Sequence, residues 1–307
     1  TSFGLLKTWS ANNRVTDSAA GGTALASGQK TNNGTLGINP HGDTLTSILI
    51  RAKENGMKCG LVVTSTITDA TPGSFYAHVC DRSGDEEIAM QLYKSEVDVF
   101  IGGGLQFFKN RSDKIDLVKK FREKGYYISD NWNETKSLNT EKVPTGKLGA
   151  LLASKSLPSI NSRDTNYLAK STEIALNILE NSNNGFFLMV EGSQIDYGGH
   201  TGDIKRLIGD MKDFERAVRT SFDYADNHPG TLVVVLADHE TGGLTIPSNN
   251  ADFTKSDSGI KYSFATTGHT GALVPILAYG TGSESFSKIL DNTEIPKILA
   301  ELLMIKL

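Results

Sequence analysis

The chain has 307 residues, of which 38% are hydrophobic and 21% charged; that excludes global disorder and allows one large α/β domain or two ordinary ones. Its formal net charge of −4 argues against a nucleic-acid-binding scaffold, and no run of 18 apolar residues offers a membrane segment. Two cysteines, Cys59 and Cys80, make neither a disulfide framework nor a CxxC metal pair, and are read as reduced, partly buried thiols.

Thr1 to Arg14 is polar and shows no clear strand. Its opening, TSFGLLKTWS, is not a signal peptide. The run Val15-Thr16-Asp17-Ser18, followed by AAGGTALASG, predicts a helix opening at or just after Ser18 and ending near Gly28. An isolated Ser there is most simply an N-cap. The alternative is a nucleophile, because the free amides and dipole of a helix N-terminus stabilise an alkoxide and bind phosphate. Asp43 to Asn55 has helical spacing, with Asp43 a plausible cap and Gly56 a plausible stop. Lys58 to Ser65 is a β-branched run and predicts a strand. Thr68 to Pro72 predicts a turn opening a helix through Phe75, Ala77 and His78. Asp85 to Lys94 follows as a helix, then Val97 to Ile101 as a strand ended by Gly102-Gly103-Gly104. That triplet lacks a dinucleotide-loop spacing and reads as a tight turn.

Residues 107–164 are more polar and are expected to be peripheral, with a helix at Ile115 to Gly125 and short strands at Tyr126 to Ser129 and Leu148 to Ala153. Thr165 to Asn181 is an amphipathic helix. It leads into Phe186 to Val190, an unbroken apolar run expected in a buried parallel strand. Glu191, Asp196 and His200 come directly after that strand, where ligands bind in open α/β sheets. Asp196 and His200 are four apart, so one helical turn puts both on one face, as two ligands of one metal. A capping Asp and a solvated His are the plainer alternative. Asp203 to His228 predicts a helix, Thr231 to Ala237 a strand ending in Asp238-His239, Ala272 to Tyr279 a last strand after Gly268-His269, and Thr293 to Ile305 a closing helix.

The alternation of strands and helices implies a three-layer α/β/α sandwich with a large, mostly parallel central sheet, in a single domain over residues 1–307. Of six histidines, His200, His239 and His269 sit beside strand ends; His41, His78 and His228 read as turn, helix and surface residues. Nitrogen and oxygen ligands without sulfur suit catalytic zinc, with a harder ion where only oxygens gather.

Five segments in order carry a family. VTDSAAGGTALASGQKTNNGTLG (15–37), TDATPGSFYAHVCDR (68–82), VEGSQIDYGGH, ADHETGG and GHTG resemble the nucleophile, magnesium-arginine and zinc segments of alkaline phosphatases. The resemblance covers essentially the whole chain. It implies hydrolysis of small-molecule phosphate monoesters to an alcohol and inorganic phosphate, through a phosphoserine on Ser18, with two Zn and one Mg. By the same resemblance Arg82 clamps two phosphate oxygens and Asp17 orients it. Asp196, His200 and His269 hold one zinc, and Asp238 and His239 the other. Thr71 and Glu191 bind magnesium, which Asp69 supports through water. A homodimer in the periplasm or secreted is implied as well.

Three departures stand out. The family carries a further Asp on a strand before the nucleophile segment, but nothing before Ser18 matches it and Thr1 to Arg14 holds no acid. The chain is therefore expected to start late, with a central strand and one ligand of the second zinc and the magnesium outside it. Position 197 is Tyr where relatives carry Lys, His or Trp, so phosphate affinity and pH optimum do not carry over. Only residues 240–268 separate His239 from His269, which implies an open mouth. Two other readings remain: a phosphodiesterase or sulfatase of the same superfamily, and a catalytically impaired metal- or phosphate-binding fragment.

Overall fold

A computed structural model describes residues 1–247 and 260–307. Thirteen strands are present among them: β1 (Ser2–Lys7), β2 (Lys58–Thr66), β3 (Val99–Gly103), β4 (Tyr127–Ser129), β5 (Leu148–Leu151), β6 (Phe186–Glu191), β7 (Leu232–Val235), the short β8 (Glu240–Thr241), β9 (Leu244–Thr245), β10 (Ser263–Phe264) and β11 (His269–Thr270), then β12 (Val274–Gly280) and β13 (Ile289–Asp291). The principal helices are α1 (Ser18–Ser27), α2 (Ile48–Glu54), α3 (Ala70–Gly73), α4 (Asp85–Ser95), α5 (Leu105–Lys109), α6 (Leu117–Glu123), α7 (Trp132–Thr135), α8 (Tyr167–Leu179), α9 (Gln194–Thr201), α10 (Ile204–Asn227) and α11 (Ile295–Leu302).

The central layer consists of two hydrogen-bonded sheets. Strands β4-β5-β3-β2-β6 pair in parallel throughout, as long crossovers through helices require. Strands β13-β1-β12-β7 form the second sheet, in which β1 is parallel to β13 and β12 runs antiparallel to β1 and β7. Alternation along the strands sorts the core. Cys59, Leu61 and Val63 of β2, with Phe100 of β3, face α2, α4 and α6. Val62, Val99 and Ile101 face the opposite layer, against Leu168, Ile174, Ala175 and Ile178 of α8 and Ala217 of α10. Helices therefore cover both sides of the parallel strands, which gives the α/β/α architecture.

Several expectations need correction. The amino-terminal segment read as strandless contains β1, whose Leu6 is fully buried beside Ile276 and Leu290. Its apolar run is too short to show periodicity, and its strand character comes from pairing with β12 and β13. The helix expected from Asp43 begins at Ile48 instead, because Ser47 Oγ accepts from Ile50 N at 3.1 Å and is the actual cap. The helix expected to run through His78 stops at Gly73, and His78 Nε2 instead bonds the Leu45 carbonyl at 2.9 Å. The last strand expected at Ala272 to Tyr279 is present as β12 and runs antiparallel to β1 and β7, within a central layer whose other pairings are parallel. The two short strands expected within residues 107–164 are present, as β4 and β5, on the outer side of the parallel sheet. Cys59 is fully buried and Cys80 exposed, both as free thiols.

Helix α10 is fixed by a buried ion cluster. Arg163 Nη2 lies 2.6 Å from Asp210 Oδ1 and 2.9 Å from Asp213 Oδ2, with all three side chains at most 5% exposed. Burial raises both carboxyl pKa values against the pull of Arg163. Arg163→Ala would remove the hydrogen-bonded counter-charge of two buried carboxylates and leave only Arg206 and Arg216, at 3.9 and 3.8 Å. A loss of roughly 3–5 kcal/mol is expected, read as a lower urea midpoint.

Candidate active site

The carboxyl ends of β2, β6 and the β7 extension converge, and each delivers polar groups. Asp17 caps α1, its Oδ1 accepting from Ala20 N at 2.9 Å. Ser18 is thus the first helical residue rather than the cap, and its hydroxyl is free for other contacts. Ser18 Oγ lies 3.0 Å from His239 Nε2. Gly21 permits this closeness: a Cβ there would sit 3.1 Å from the Asp238 carbonyl oxygen.

Opposite Ser18, Arg82 is held from two sides. Its Nη1 donates to Asp17 Oδ2 and its Nη2 to Asp69 Oδ1, each at 3.2 Å. Burial works against its charge, but Asp69 and then Asp17 outweigh that, and the guanidinium pKa rises. Asp17 itself is fixed by Gly34 N at 2.9 Å and by Asn33, whose Oδ1 accepts from Asp17 N at 3.2 Å. The Tyr197 hydroxyl donates to Asp69 Oδ2 at 3.1 Å. One face of the guanidinium system is therefore preset for an anion.

Helix α9 carries Asp196 and His200 on one face, as their spacing requires. The two glycines between them let the helix lie close to its neighbours. A Cβ on Gly198 would meet Leu207 Cα at 2.9 Å, and one on Gly199 the Thr241 carbonyl at 2.8 Å. All three strand-end histidines share one arrangement. His200 Nδ1–H donates to the Thr267 carbonyl at 2.6 Å, and His269 Nδ1–H to the Thr16 carbonyl at 2.8 Å. His239 Nδ1 is 3.0 Å from Thr241 Oγ1, which donates to Asp196 Oδ1 at 2.6 Å. Each ring thus turns its Nε2 lone pair inward, the tautomer and orientation that metal-binding imidazoles adopt.

The inward atoms are spaced as ligands of one ion would be. His269 Nε2 is 3.2 Å from His200 Nε2, and Asp196 oxygens lie 3.3 Å from His200 Nε2 and 3.6 Å from His269 Nε2. Ligands about 2.0–2.1 Å from a tetrahedral zinc would be about 3.3 Å apart. His239 Nε2 stands 3.3 Å from Asp238 Oδ2. Asp196, His239 and His269 present ligand atoms all within 4.8 Å of one another, so the two expected zinc groups adjoin through His239. Burial opposes ionisation of Asp196, yet bonds from His269 and Thr241 and the nearby imidazoles bring its pKa down to about 2. His269 is raised, since contacts with Asp196 and Thr16 outweigh its burial.

Glu191 ends β6 and accepts from Ser193 Oγ at 2.7 Å and from Thr71. Burial, then the charges of Asp69 and Asp238, push its pKa up to about 8, despite those hydroxyl bonds. Such a carboxylate favours a divalent cation, and its oxygen surroundings suit a hard one. All the residues singled out in the sequence come together in this one region. Sequence reasoning missed Thr241, Asn33 and the carbonyls of Thr16 and Thr267, which carry no catalytic chemistry of their own. Thr241, two residues after His239 in ADHETGG, was the one with a visible signal.

The comparisons with known proteins agree with this geometry. Residues 1–259 match the alkaline phosphatase family. Alkaline phosphatase 3 of Bacillus subtilis is 33% identical over 92% of this chain and 76% of its own length. Among solved structures, alkaline phosphatase from the Antarctic bacterium TAB5 superposes with a TM-score of 0.93, at 38% identity, over 100% of this chain and 89% of that one. A variant of that enzyme, solved with Mg bound in its M3 site, gives the same TM-score at 37% identity over the same shares. Fold and site define a hydrolase of phosphate esters that works with metal ions. The chain belongs to the alkaline phosphatase family.

Proposed function

We propose that this protein is a phosphomonoesterase working through a phosphoserine on Ser18. The observation that carries the reading is the placement of Ser18 Oγ, 3.0 Å from His239 Nε2 at the positive end of α1, opposite an Arg82 fixed by Asp17 and Asp69. Asp196, His200 and His269 would hold one zinc, Asp238 and His239 a second, and Thr71 with Glu191 a magnesium that Asp69 supports. Bound there, zinc supplies Lewis acidity that lowers the pKa of the Ser18 hydroxyl and of water and offsets charge on the leaving oxygen.

The chain's own groups do the positioning. Arg82 takes two non-bridging phosphoryl oxygens in a planar fork, and this orients phosphorus in line with Ser18 Oγ. The Oγ–P bond forms as the bond to the alcohol oxygen breaks. The free amides of the first turn of α1 lie against the transferred group and favour its negative charge. Water then cleaves the Oγ–P bond, freeing inorganic phosphate and returning Ser18.

A monoester has three non-bridging oxygens, so two remain for Arg82 when the third faces the metal-holding groups, whereas a diester has one fewer, so Arg82 favours monoesters over diesters. In zinc- and magnesium-supplemented buffer at alkaline pH, an aryl phosphate monoester should be turned over at least about 10²-fold faster than the matching diester. Arg82→Ala should narrow that ratio. A diester rate equal to the monoester rate would transfer the protein to the phosphodiesterase reading. By the family resemblance we expect an exported homodimer. Among the described residues no helix is long and apolar enough to cross a membrane.

A further inference from the structure

A cleft of about 420 Å³ opens beside the phosphoryl position and shares Arg82, Asp69 and Tyr197 with it. Beyond those three its lining includes Asp85, Gln106, Phe107 and Lys155, with the small hydroxyl residues Thr66 and Ser156. The first four come from three places: the start of α4, the start of α5, and the loop after β5. None of them belongs to the metal or nucleophile machinery described above.

Part of their hydrogen-bonding capacity is unused within the described residues. Asp85 Oδ1 accepts from Thr68 Oγ1 at 2.5 Å, while its Oδ2 has no partner among the described residues. Gln106 Oε1 accepts from Ser154 Oγ at 3.2 Å, which leaves its amide nitrogen without an acceptor among them. Lys155 Nζ makes no ion pair or hydrogen bond among them, although its charge reaches Asp85. The result is a nearly charge-balanced wall with separate donors and acceptors. Phe107, half-buried, adds one aromatic ring.

Such a wall is a poor seat for a hydrocarbon. An alkyl chain would strip water from Asp85, Gln106 and Lys155 and return no hydrogen bonds. A ring bearing several hydroxyls could donate to Asp85, accept from Gln106 and Lys155, and lay its C–H face on Phe107. The volume falls within the usual range for small-molecule sites. The cleft is lined in part by Arg82 itself, so a phosphate ester held on Arg82 has this wall beside it, within reach of the alcohol it carries.

We propose that this cleft receives the alcohol portion of the substrate and selects polyhydroxylated alcohols, of the sugar or cyclitol phosphate class, over plain alkyl phosphates. The proposal rests on the phosphomonoesterase reading, and it names residues that set specificity without taking part in the chemistry.

The test has a binding arm and a turnover arm. In the binding arm, metal-loaded Ser18→Ala protein is titrated by calorimetry with glucose 6-phosphate, n-hexyl phosphate and inorganic phosphate. Glucose 6-phosphate should bind about tenfold or more tightly than n-hexyl phosphate. In the turnover arm, Gln106→Ala and Phe107→Ala should each lower kcat/KM for glucose 6-phosphate several-fold and leave that for n-hexyl phosphate unchanged. Equal affinity for the two esters, or equal loss on both substrates in the variants, overturns the subsite and leaves the phosphomonoesterase reading intact. Failure of all three ligands to bind overturns that reading, and the subsite with it.

Discussion

Ser18→Ala should lower kcat/KM for an aryl phosphate by about 10³-fold or more, with zinc content and the melting temperature of the loaded protein unchanged. The expectation follows from what Ser18 does and does not touch. Asp17, not Ser18, caps α1, so removing the hydroxyl costs the helix nothing at its N-terminus. The three imidazoles keep their Nδ1 bonds to Thr267, Thr16 and Thr241, so their inward ligand atoms stay in place. What is lost is the atom that accepts phosphorus. Rapid mixing of the parent enzyme with substrate at low pH, followed by acid quench, should trap label on Ser18, and the variant should show none. A Ser18→Ala protein as active as its parent would remove the nucleophile assignment and leave direct attack by water.

The second expectation concerns the metal-free protein. Glu191, with its pKa raised to about 8, is protonated in the folded chain over a range where the unfolded chain would ionise it. Stability from this group is therefore complete below the ordinary carboxylate pKa, about 4.3 for Glu, and is lost as pH rises toward 8. His269 acts in the same direction: its raised pKa gives stability present at low pH and lost as pH passes the folded value. Asp196, lowered to about 2, has the opposite sign, but its stability is lost only at pH values well below this window. Chelator-treated protein should thus melt at lower temperature at pH 8.5 than at pH 5.5, by roughly 5 °C or more. Saturating zinc and magnesium should reverse the trend, since ions compete with protons for these atoms and bind more tightly at high pH. Glu191→Gln should flatten much of the slope in the metal-free protein. A metal-free melting curve independent of pH in that window would contradict the assignment of Glu191 as a buried carboxyl among like charges.

The site was more legible in the sequence than the sheet that carries it. Asp196 and His200 declare themselves through helical spacing, and Asp238-His239 through its position after a β-branched run, because ligands must be local in sequence to share a strand end. The order of the five motif segments did the rest. Sheet topology lacks such local signals. Nothing in SFGLLK tells that β1 runs beside β12 and β13, because that pairing is made by residues more than 260 positions away. The antiparallel course of β12 is equally silent, since a strand reads the same in either direction. Competing caps changed the reading at two helix starts: Ser47 displaced Asp43 and moved α2, while α1 starts at Ser18 as expected but is capped by Asp17. The second of these shifts matters for function, because the cap reading and the nucleophile reading of Ser18 were rivals, and the carboxylate next door takes the cap.

The two sheets of the central layer meet at the site. Glu191 ends β6 and Asp69 follows β2 of the five-stranded parallel sheet, and Asp196 lies on α9, just after β6. Asp238 and His239 follow the last strand of the four-stranded sheet, and His269 lies just before β12. Asp196 is nevertheless bonded through Thr241 to His239, across that boundary. An ion held among these atoms would tie groups that follow β6 to groups that follow β7. Removing such an ion should lower the stability of the fold along with its activity, and both should track the same occupancy. Catalytic competence and structural unity are in this way read out by one chemical event.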